Sequence, residues 1–284
     1  MTYRLLATIA LSAIVTSTMS QGLFGNVPSD RQTSSQVVNL PNKPNVIDAN
    51  GKKQGEWAKK YRNGRYAYTA TFVDDVPVGP VVRYTEKGEK SSVQIFSGDT
   101  CRTTTFHSNG KTESKGIYIH KLKEGEWLFF GSEGELIERS NYTHGELNGL
   151  QTIYFDNGKV AETCYYKNGV LDGPWKCLFP SGRTQLSANY VDGKLDGYYQ
   201  CWNVTTGAKS VEGMYSHGKC VGEWKTYEDN GVDYRILHYD AKGNLLDKEA
   251  EKARIVKLYN KYDAERGNLR DPEHYVENPT EYRP

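Results

Sequence analysis

Glycine and aromatic residues recur along the chain with a period of about 24 residues, separated by mostly polar positions. Each period contains two short runs with aromatic residues, and a glycine bounds each run. Regular self-similarity of this kind is typical of a repeat architecture, so the chain is predicted to contain one small unit copied eight times. The first positions of the eight units are Gly55, Gly79, Cys101, Gly125, Gly149, Gly173, Gly197 and Gly222.

The middle of each unit contains a turn signal, such as Asn63-Gly64 or Asn157-Gly158. Glycine tolerates the positive φ that two-residue hairpin turns require. We therefore expect strand, tight turn, strand within each unit, and a second glycine turn, as at Gly145, that leads to the next unit. The expected glycines of the first turns are Gly64, Gly88, Gly110, Gly134, Gly158, Gly182, Gly207 and Gly231.

Aromatic residues occupy equivalent positions in most units, which predicts that they are buried on a shared face. A tryptophan near the start of a unit, a tyrosine near its end and an aromatic from the next unit would form the core of that unit. The expected core residues are Trp57, Trp127, Phe130, Tyr142, Tyr154, Tyr166, Trp175, Tyr190, Trp202, Tyr215, Trp224 and Tyr227.

These features predict an all-β fold, an elongated antiparallel strip of β-hairpins with about sixteen short strands in one continuous meander. The third unit, from Cys101, departs most from the pattern, because it lacks the opening glycine, the tryptophan and two residues upstream. Near the C-terminus, Ala250, Ile255 and Leu258 are spaced for one face of a helix, and Gly267 is placed to end it. We expect this helix to cap the open edge of the sheet.

The predicted organisation has five segments. Residues 1–20 are typical of a signal peptide, with Arg4 before the apolar run from Leu5 to Val15, although a buried N-terminal helix is the alternative. Residues 21–48 form a flexible tether, residues 49–246 the repeat domain, residues 247–267 the capping helix and residues 268–284 an extended tail.

Composition and charge narrow the classes of function. The chain is 37% hydrophobic and 12% aromatic, and its formal net charge is +1. Regularly spaced aromatics argue against disorder, and the apolar run near the N-terminus is too short to span a bilayer comfortably. No cluster of Lys and Arg is evident, so nucleic acid is not expected as a partner.

Cysteine and histidine are the candidates for metal or redox chemistry. The five cysteines are an odd number, and Cys177 and Cys201 fall in the same phase of adjacent units, too far apart to bond. Cys164 falls where other units have small residues, so it is expected to be a packing residue. Three histidines, His120, His144 and His217, share one phase in the second turns and are interpreted as solvated turn residues. No catalytic, cofactor or metal site is predicted.

The aromatic strip has a second interpretation, as a platform that stacks on sugars of the cell wall, because aromatic rings favour such contacts. Exposed basic positions such as Lys123, Lys159 and Lys194 would then contact an envelope glycan or a lipid surface. The first interpretation, a core made of these rings, is preferred because each unit has little else to bury.

The run Gly222-Glu223-Trp224-Lys225-Thr226-Tyr227-Glu228-Asp229-Asn230-Gly231 resembles the bacterial MORN-repeat variant family. The stretches from Tyr166 to Gly173 and from Tyr190 to Gly197 resemble its other half-motif, and the resemblance covers about Gly51 to Gly231. It implies the β-hairpin fold. It also implies roles that such proteins are commonly given, as antitoxins of toxin-antitoxin systems or in attachment to membranes or proteins.

The sequence thus predicts a non-enzymatic, exported scaffold that binds another protein at the cell envelope, in the periplasm or outside the cell. The alternatives are an envelope glycan or lipid-surface binding module, and an antitoxin or immunity-type protein that neutralises a toxin. The mature chain is expected to have no transmembrane span.

Overall fold

The computed structural model describes residues 44–228, 231–232 and 234–266. The expected signal peptide, most of the expected tether and the expected C-terminal tail lie outside these residues. Within them, no helix is both long enough and apolar enough to cross a membrane.

Twenty strands form one antiparallel sheet, and a single helix follows it, which confirms the predicted β-hairpin strip. Sixteen of these strands correspond to the two expected in each unit, and four contain only two residues. The elements are β1 (Val46–Ile47), β2 (Lys53–Lys60), β3 (Tyr66–Val73), β4 (Val76–Pro77), β5 (Pro80–Tyr84), β6 (Lys90–Ser97), β7 (Thr100–Phe106), β8 (Thr112–Ile119), β9 (Leu122–Phe130), β10 (Leu136–Thr143), β11 (Glu146–Leu147), β12 (Gly149–Tyr154), β13 (Val160–Lys167), β14 (Val170–Leu178), β15 (Thr184–Val191), β16 (Lys194–Leu195), β17 (Gly197–Trp202), β18 (Lys209–Ser216), β19 (Lys219–Tyr227), β20 (Tyr234–Tyr239) and α1 (Lys248–Arg266).

The first turn of most units is a three-residue loop, which corrects the expected two-residue turn. In the first unit, the amide of Tyr61 donates to the carbonyl of Arg65 at 2.8 Å, and the amide of Gly64 donates to the carbonyl of Tyr61 at 3.0 Å. Gly64 has a φ of 84°. This is a type I turn followed by a left-handed residue, so the glycine is needed as the third loop residue.

The second turn, which connects one unit to the next, is a two-residue turn. His144 and Gly145, like Asn168 and Gly169, both have positive φ, as a type I′ turn requires. The opening glycine of the next unit then lies in a bulge, because the pairing register shifts by two residues there, as between Cys164 and Tyr166. These bulges separate the two-residue strands β4, β11 and β16 from the longer strands that follow.

Two units differ in length from the others, and each difference is accommodated by a different change in the hairpin. The third unit lacks the bulge, since β6 and β7 pair without a register shift, which accounts for its two missing residues. The seventh unit has one extra residue in its first turn, where the amide of Asn203 donates to the carbonyl of Ala208 at 2.8 Å. Tyr215 is therefore displaced by one position in sequence and still pairs with the opening Gly197.

One row of side chains crosses the whole sheet near its midline, and we call the face that carries it the tryptophan face. In most of its cross-strand pairs a larger residue lies opposite a smaller one, so the row interdigitates. The pairs are Trp57 with Ala70, Val81 with Gln94, Thr103 with Gly116, Trp127 with Ser140, Gln151 with Cys164, Trp175 with Ala188, Tyr199 with Gly213 and Trp224 with Leu237.

Both ends of the sheet are covered over part of their length. At the first edge, β1 pairs with β2, and the Asn45 side chain accepts from the amide of Ala58 at 2.8 Å. At the last edge, helix α1 follows β20, and the Asp247 carboxylate accepts from the amide of His238 at 2.7 Å. The helix contacts the sheet through the ion pair of Glu251 with Arg235 on β20, whereas Ile255, on its expected apolar face, is more than half exposed.

Candidate interaction surfaces

The tryptophan face contains eight of the twelve residues expected in the core. Trp127 and Trp224 are the most buried of them, at 2% and 8% exposure. The ring of Trp127 packs against Tyr118 and Tyr142, with centroids 4.9 Å and 6.4 Å away. The eight residues are Trp57, Trp127, Tyr142, Tyr166, Trp175, Tyr190, Tyr215 and Trp224. Their rings contact one another within units, as Trp127 does with Tyr142, and between units, as Tyr215 does with Trp224.

The other four expected core residues lie on the opposite side of the sheet, which we call the reverse face. Phe130, Tyr154, Trp202 and Tyr227 are three residues after a tryptophan-face position, and side chains alternate between faces along a strand. All four are half-buried close to the first turns. The two sides of the sheet therefore share the aromatic residues, and Tyr84 and Phe106 occupy the same reverse-face position in the second and third units.

The reverse face exposes two apolar pairs across the fifth to seventh units, and Pro174 and Asn189 of the two intervening strands lie between them. Tyr165, Tyr198 and Met214 are 40%, 49% and 43% exposed. Tyr165 lies opposite Leu150, and Tyr198 lies opposite Met214. An open hollow beside the patch is lined by Tyr198, Glu212, Gly213, Met214, Glu223 and Lys225. We call Leu150, Tyr165, Tyr198 and Met214 the reverse-face patch.

Polar side chains replace a tryptophan in the fifth unit. Gln151 occupies the tryptophan position, and its amide donates to the Glu138 carboxylate at 3.0 Å and to the Ser140 hydroxyl at 2.9 Å. Cys164 donates to the Gln151 side-chain oxygen at 3.4 Å and is 1% exposed. Burial raises the pKa of the Cys164 thiol to about 12, so the thiol stays protonated and acts as a small packing residue. All five cysteines are free thiols.

Glu212, on the reverse face, is a nearly buried carboxylate that accepts short hydrogen bonds from three groups. Tyr198 and Tyr227 donate hydroxyl hydrogen bonds to it at 2.5 Å each, and Lys209 contributes its ammonium at 2.7 Å. Burial alone would raise the pKa of Glu212, but the hydrogen bonds from these three groups outweigh it and lower the pKa to about 2. The ionised carboxylate holds β17, β18 and β19 together beside the reverse-face patch.

We expect acid to destabilise the seventh and eighth units through Glu212. Because the pKa is lower in the folded chain than in the unfolded chain, the stabilisation is present above the unfolded value and is lost as the pH falls toward about 2. The loss should be on the order of 2 kcal/mol. Urea denaturation at several pH values, followed by circular dichroism, measures it. Glu212→Gln should flatten this dependence, and an equally steep curve in the variant would contradict the assignment.

The histidines of the second turns are held there by backbone geometry. His120, His144 and His217 have φ values of 49°, 50° and 50° at the first left-handed position of their turns. Asn and Asp occupy the same position in other units, and residues of this kind are enriched in that conformation. In the described part of the chain, no three His, Cys, Asp or Glu side chains group as a metal site.

The three basic positions suggested for a glycan or lipid surface differ in their surroundings. Lys123 Nζ lies 4.7 Å from the Trp127 ring and 4.5 Å from the Tyr142 ring, and burial lowers the pKa of Lys123. Lys159 donates to the Pro180 carbonyl at 3.2 Å, whereas Lys194 is exposed. Lys123 thus packs on the core, and the three do not form one surface.

Sequence reasoning missed the reverse-face patch. Tyr165 and Met214 are adjacent in sequence to the aligned aromatics Tyr166 and Tyr215, so they belong to the other face. The sequence contained a signal for this patch, namely a second large residue next to the aromatic residue that recurs in each unit. It did not stand out because four of the eight units have a polar residue there, such as Thr71, Asn141 or Asn189.

The family model for the MORN repeat variant matches residues 147–168. This stretch covers the end of β11, all of β12 and the hairpin into β13, and it includes the opening Gly149 and the turn glycine Gly158. The match supports a MORN-repeat family for a chain whose other units have the same hairpin. A search of curated proteins finds no match to the chain.

Proposed function

We propose that this ribbon of MORN-like hairpins is a non-enzymatic, exported scaffold that binds another protein at the cell envelope through its reverse-face patch. The observation that carries the proposal is the exposure of Tyr165, Tyr198 and Met214 on a face that no other element covers within the described residues. Grouped apolar side chains of this size are typical of protein interaction sites.

The arrangement of the two faces supports a role in binding. The tryptophan face uses its rings to join neighbouring units, whereas the reverse-face patch makes no comparable row of ring contacts. The patch crosses β12 to β18, a length of about 24 Å at the usual spacing between strands. Tyrosine and methionine are both enriched in protein interfaces. The hydrogen bond from the Tyr198 hydroxyl to Glu212 holds this patch residue in place.

Site-specific photo-crosslinking in the native cells tests the proposal. A photoreactive phenylalanine analogue placed at Tyr165 or at Met214 should crosslink to one and the same protein, and the analogue at Tyr142 on the tryptophan face should not. Tyr165→Ser combined with Met214→Ser should weaken the complex at least about tenfold, as expected when anchor residues are lost.

The matched control is Val73→Ser combined with Val191→Ser, because both valines are similarly exposed and lie outside the patch. Equal weakening by the control, or equal crosslinking from Tyr142, would contradict the proposal. Retention of the purified chain on protein-free cell wall or liposomes, with no protein crosslinked, would favour the glycan or lipid-surface alternative instead.

A further inference from the structure

Basic side chains gather at one end of the ribbon, and four of the seven residues 59–65 are Lys or Arg, which corrects the expectation that the chain has no such cluster. Lys59, Lys60, Arg62 and Arg65 surround the first turn of the first unit, and no acidic residue lies among residues 59–65. Arg83 of the second unit joins them across the sheet, because Tyr68 pairs with Lys59 on one side and with Arg83 on the other.

Lys59, Tyr68 and Arg83 consequently form a row on the tryptophan face, with a phenol between two cations. The two cations lie two strands apart, which is roughly 9.6 Å at the usual spacing. An open hollow is lined by Lys59, Lys60, Tyr61, Ala67, Tyr68, Arg83, Tyr84 and Ser91. We call this hollow and its row the basic hollow.

The cations of the basic hollow are not neutralised within the described part of the chain. The ion pairs found there, at 4.0 Å or less, all involve other residues. Arg83 donates to the neutral Gln94 side chain at 3.3 Å, and Lys60 lies 5.0 Å from the Tyr66 ring. Glu89, in the first turn of the second unit, accepts a hydrogen bond from the hydroxyl of Thr85 at 3.2 Å.

The positive surface is short, and this limits what it can hold. Acidic residues begin in the first turn of the second unit, at Glu86 and Glu89, and recur in later first turns at Glu133, Glu135 and Asp156. A long polyanion lying along the ribbon would meet these carboxylates, and like charges close together are unfavourable. The basic hollow therefore suits a short anionic segment that spans about two units.

We propose that the basic hollow binds a short acidic peptide segment of the partner protein, with two carboxylates contacting Lys59 and Arg83 and the Tyr68 hydroxyl donating between them. This inference rests on the proposed function, because that function makes the ligand a protein. Arg and Lys bind carboxylates through charge-assisted hydrogen bonds, which are stronger than neutral ones. The segment would add a second, electrostatic contact to the apolar contact at the reverse-face patch.

Fluorescence anisotropy with the purified full chain and a labelled hexaglutamate peptide tests the inference. Binding should be saturable at about 50 mM salt and several-fold weaker at about 200 mM salt, because exposed charges are screened. Lys59→Gln combined with Arg83→Gln should weaken binding by about tenfold or more. Lys159→Gln combined with Lys194→Gln changes the net charge equally elsewhere and should leave binding within about twofold.

Three outcomes would overturn the inference: no binding by the folded wild-type chain, an equal loss in the control variant, or tighter binding of hexathymidylate or of phosphatidylglycerol vesicles than of the peptide. Circular dichroism checks that each variant is folded.

The crosslinks from Tyr165 and Met214 separate this inference from the proposed function. If the crosslinks form but the peptide does not bind, the proposed acidic segment is wrong and the proposed function stands. If the peptide binds but no crosslinks form, the proposed function is wrong instead.

Discussion

Trp127→Ala is expected to lower the free energy of unfolding by about 3 to 5 kcal/mol, the cost of truncating a large buried aromatic. The ring is 2% exposed, packs against Tyr118 and Tyr142, and donates from Nε1 to the Ile117 carbonyl at 3.1 Å. Its loss leaves a cavity in the middle of the ribbon, and there is no second layer that could collapse into it. Urea denaturation followed by circular dichroism measures the change.

Tyr165→Ala is the matched control, because it removes an aromatic ring that is 40% exposed on the reverse face. It should cost less than about 1 kcal/mol, as surface substitutions do. Similar costs for the two variants would mean that the tryptophan row is not the core of the ribbon. An unchanged denaturation curve for Trp127→Ala would make the ring available to a ligand and would favour the aromatic-platform alternative.

The second large effect is expected at Gly116, where a methyl group would collide with the Trp127 ring. The position of a Cβ atom built on Gly116 overlaps ring atoms of Trp127. Gly116→Ala should therefore displace the ring, disturb its hydrogen bond to Ile117 and cost about 2 to 3 kcal/mol. In a Trp127→Ala background the collision is gone, and the same substitution should be neutral or slightly stabilising, because glycine weakens a strand.

The double-mutant cycle at Gly116 and Trp127 should thus give a coupling energy of about 2 to 3 kcal/mol. Gly158→Ala is the control, since Gly158 has a φ of 76° and nothing near its Cβ position. That variant should cost about 1 kcal/mol with or without the Trp127 ring, because its penalty comes from backbone strain. Additive costs at Gly116 and Trp127 would show that the ring does not cover the glycine.

The strip of hairpins was predictable from the sequence because its determinants are local. Each turn needs a glycine within a few residues, and each unit repeats the same need, so Gly64 or Gly145 can be recognised without knowing the fold. The loop length was not predictable in the same way. Asn63-Gly64 fits a two-residue turn and also the end of a three-residue loop, and only the pairing of Tyr61 with Arg65 decides between them.

The candidate surfaces depended on contacts between units, which explains why the sequence did not reveal them. The basic hollow requires Lys59 and Arg83 to flank Tyr68, and this follows from strand pairing rather than from spacing in the chain. The faces of Phe130 and Tyr227 follow from the sequence, because each lies three residues after a tryptophan on the same strand and successive side chains alternate between faces. A repeated aromatic indicates burial, but its parity relative to the tryptophan decides the side of the sheet.

The third and seventh units suggest how such a chain tolerates insertions and deletions. Two residues are missing from the third unit within a strand connection, and the even number keeps every later side chain on its own side. The single residue added to the seventh unit lies in a loop, where an odd number does no harm. Ribbons of this type can therefore change length by whole hairpins, by even steps within a strand connection or by single residues in a loop, whereas one residue inserted inside a strand would turn the side chains that follow it on that strand to the other face.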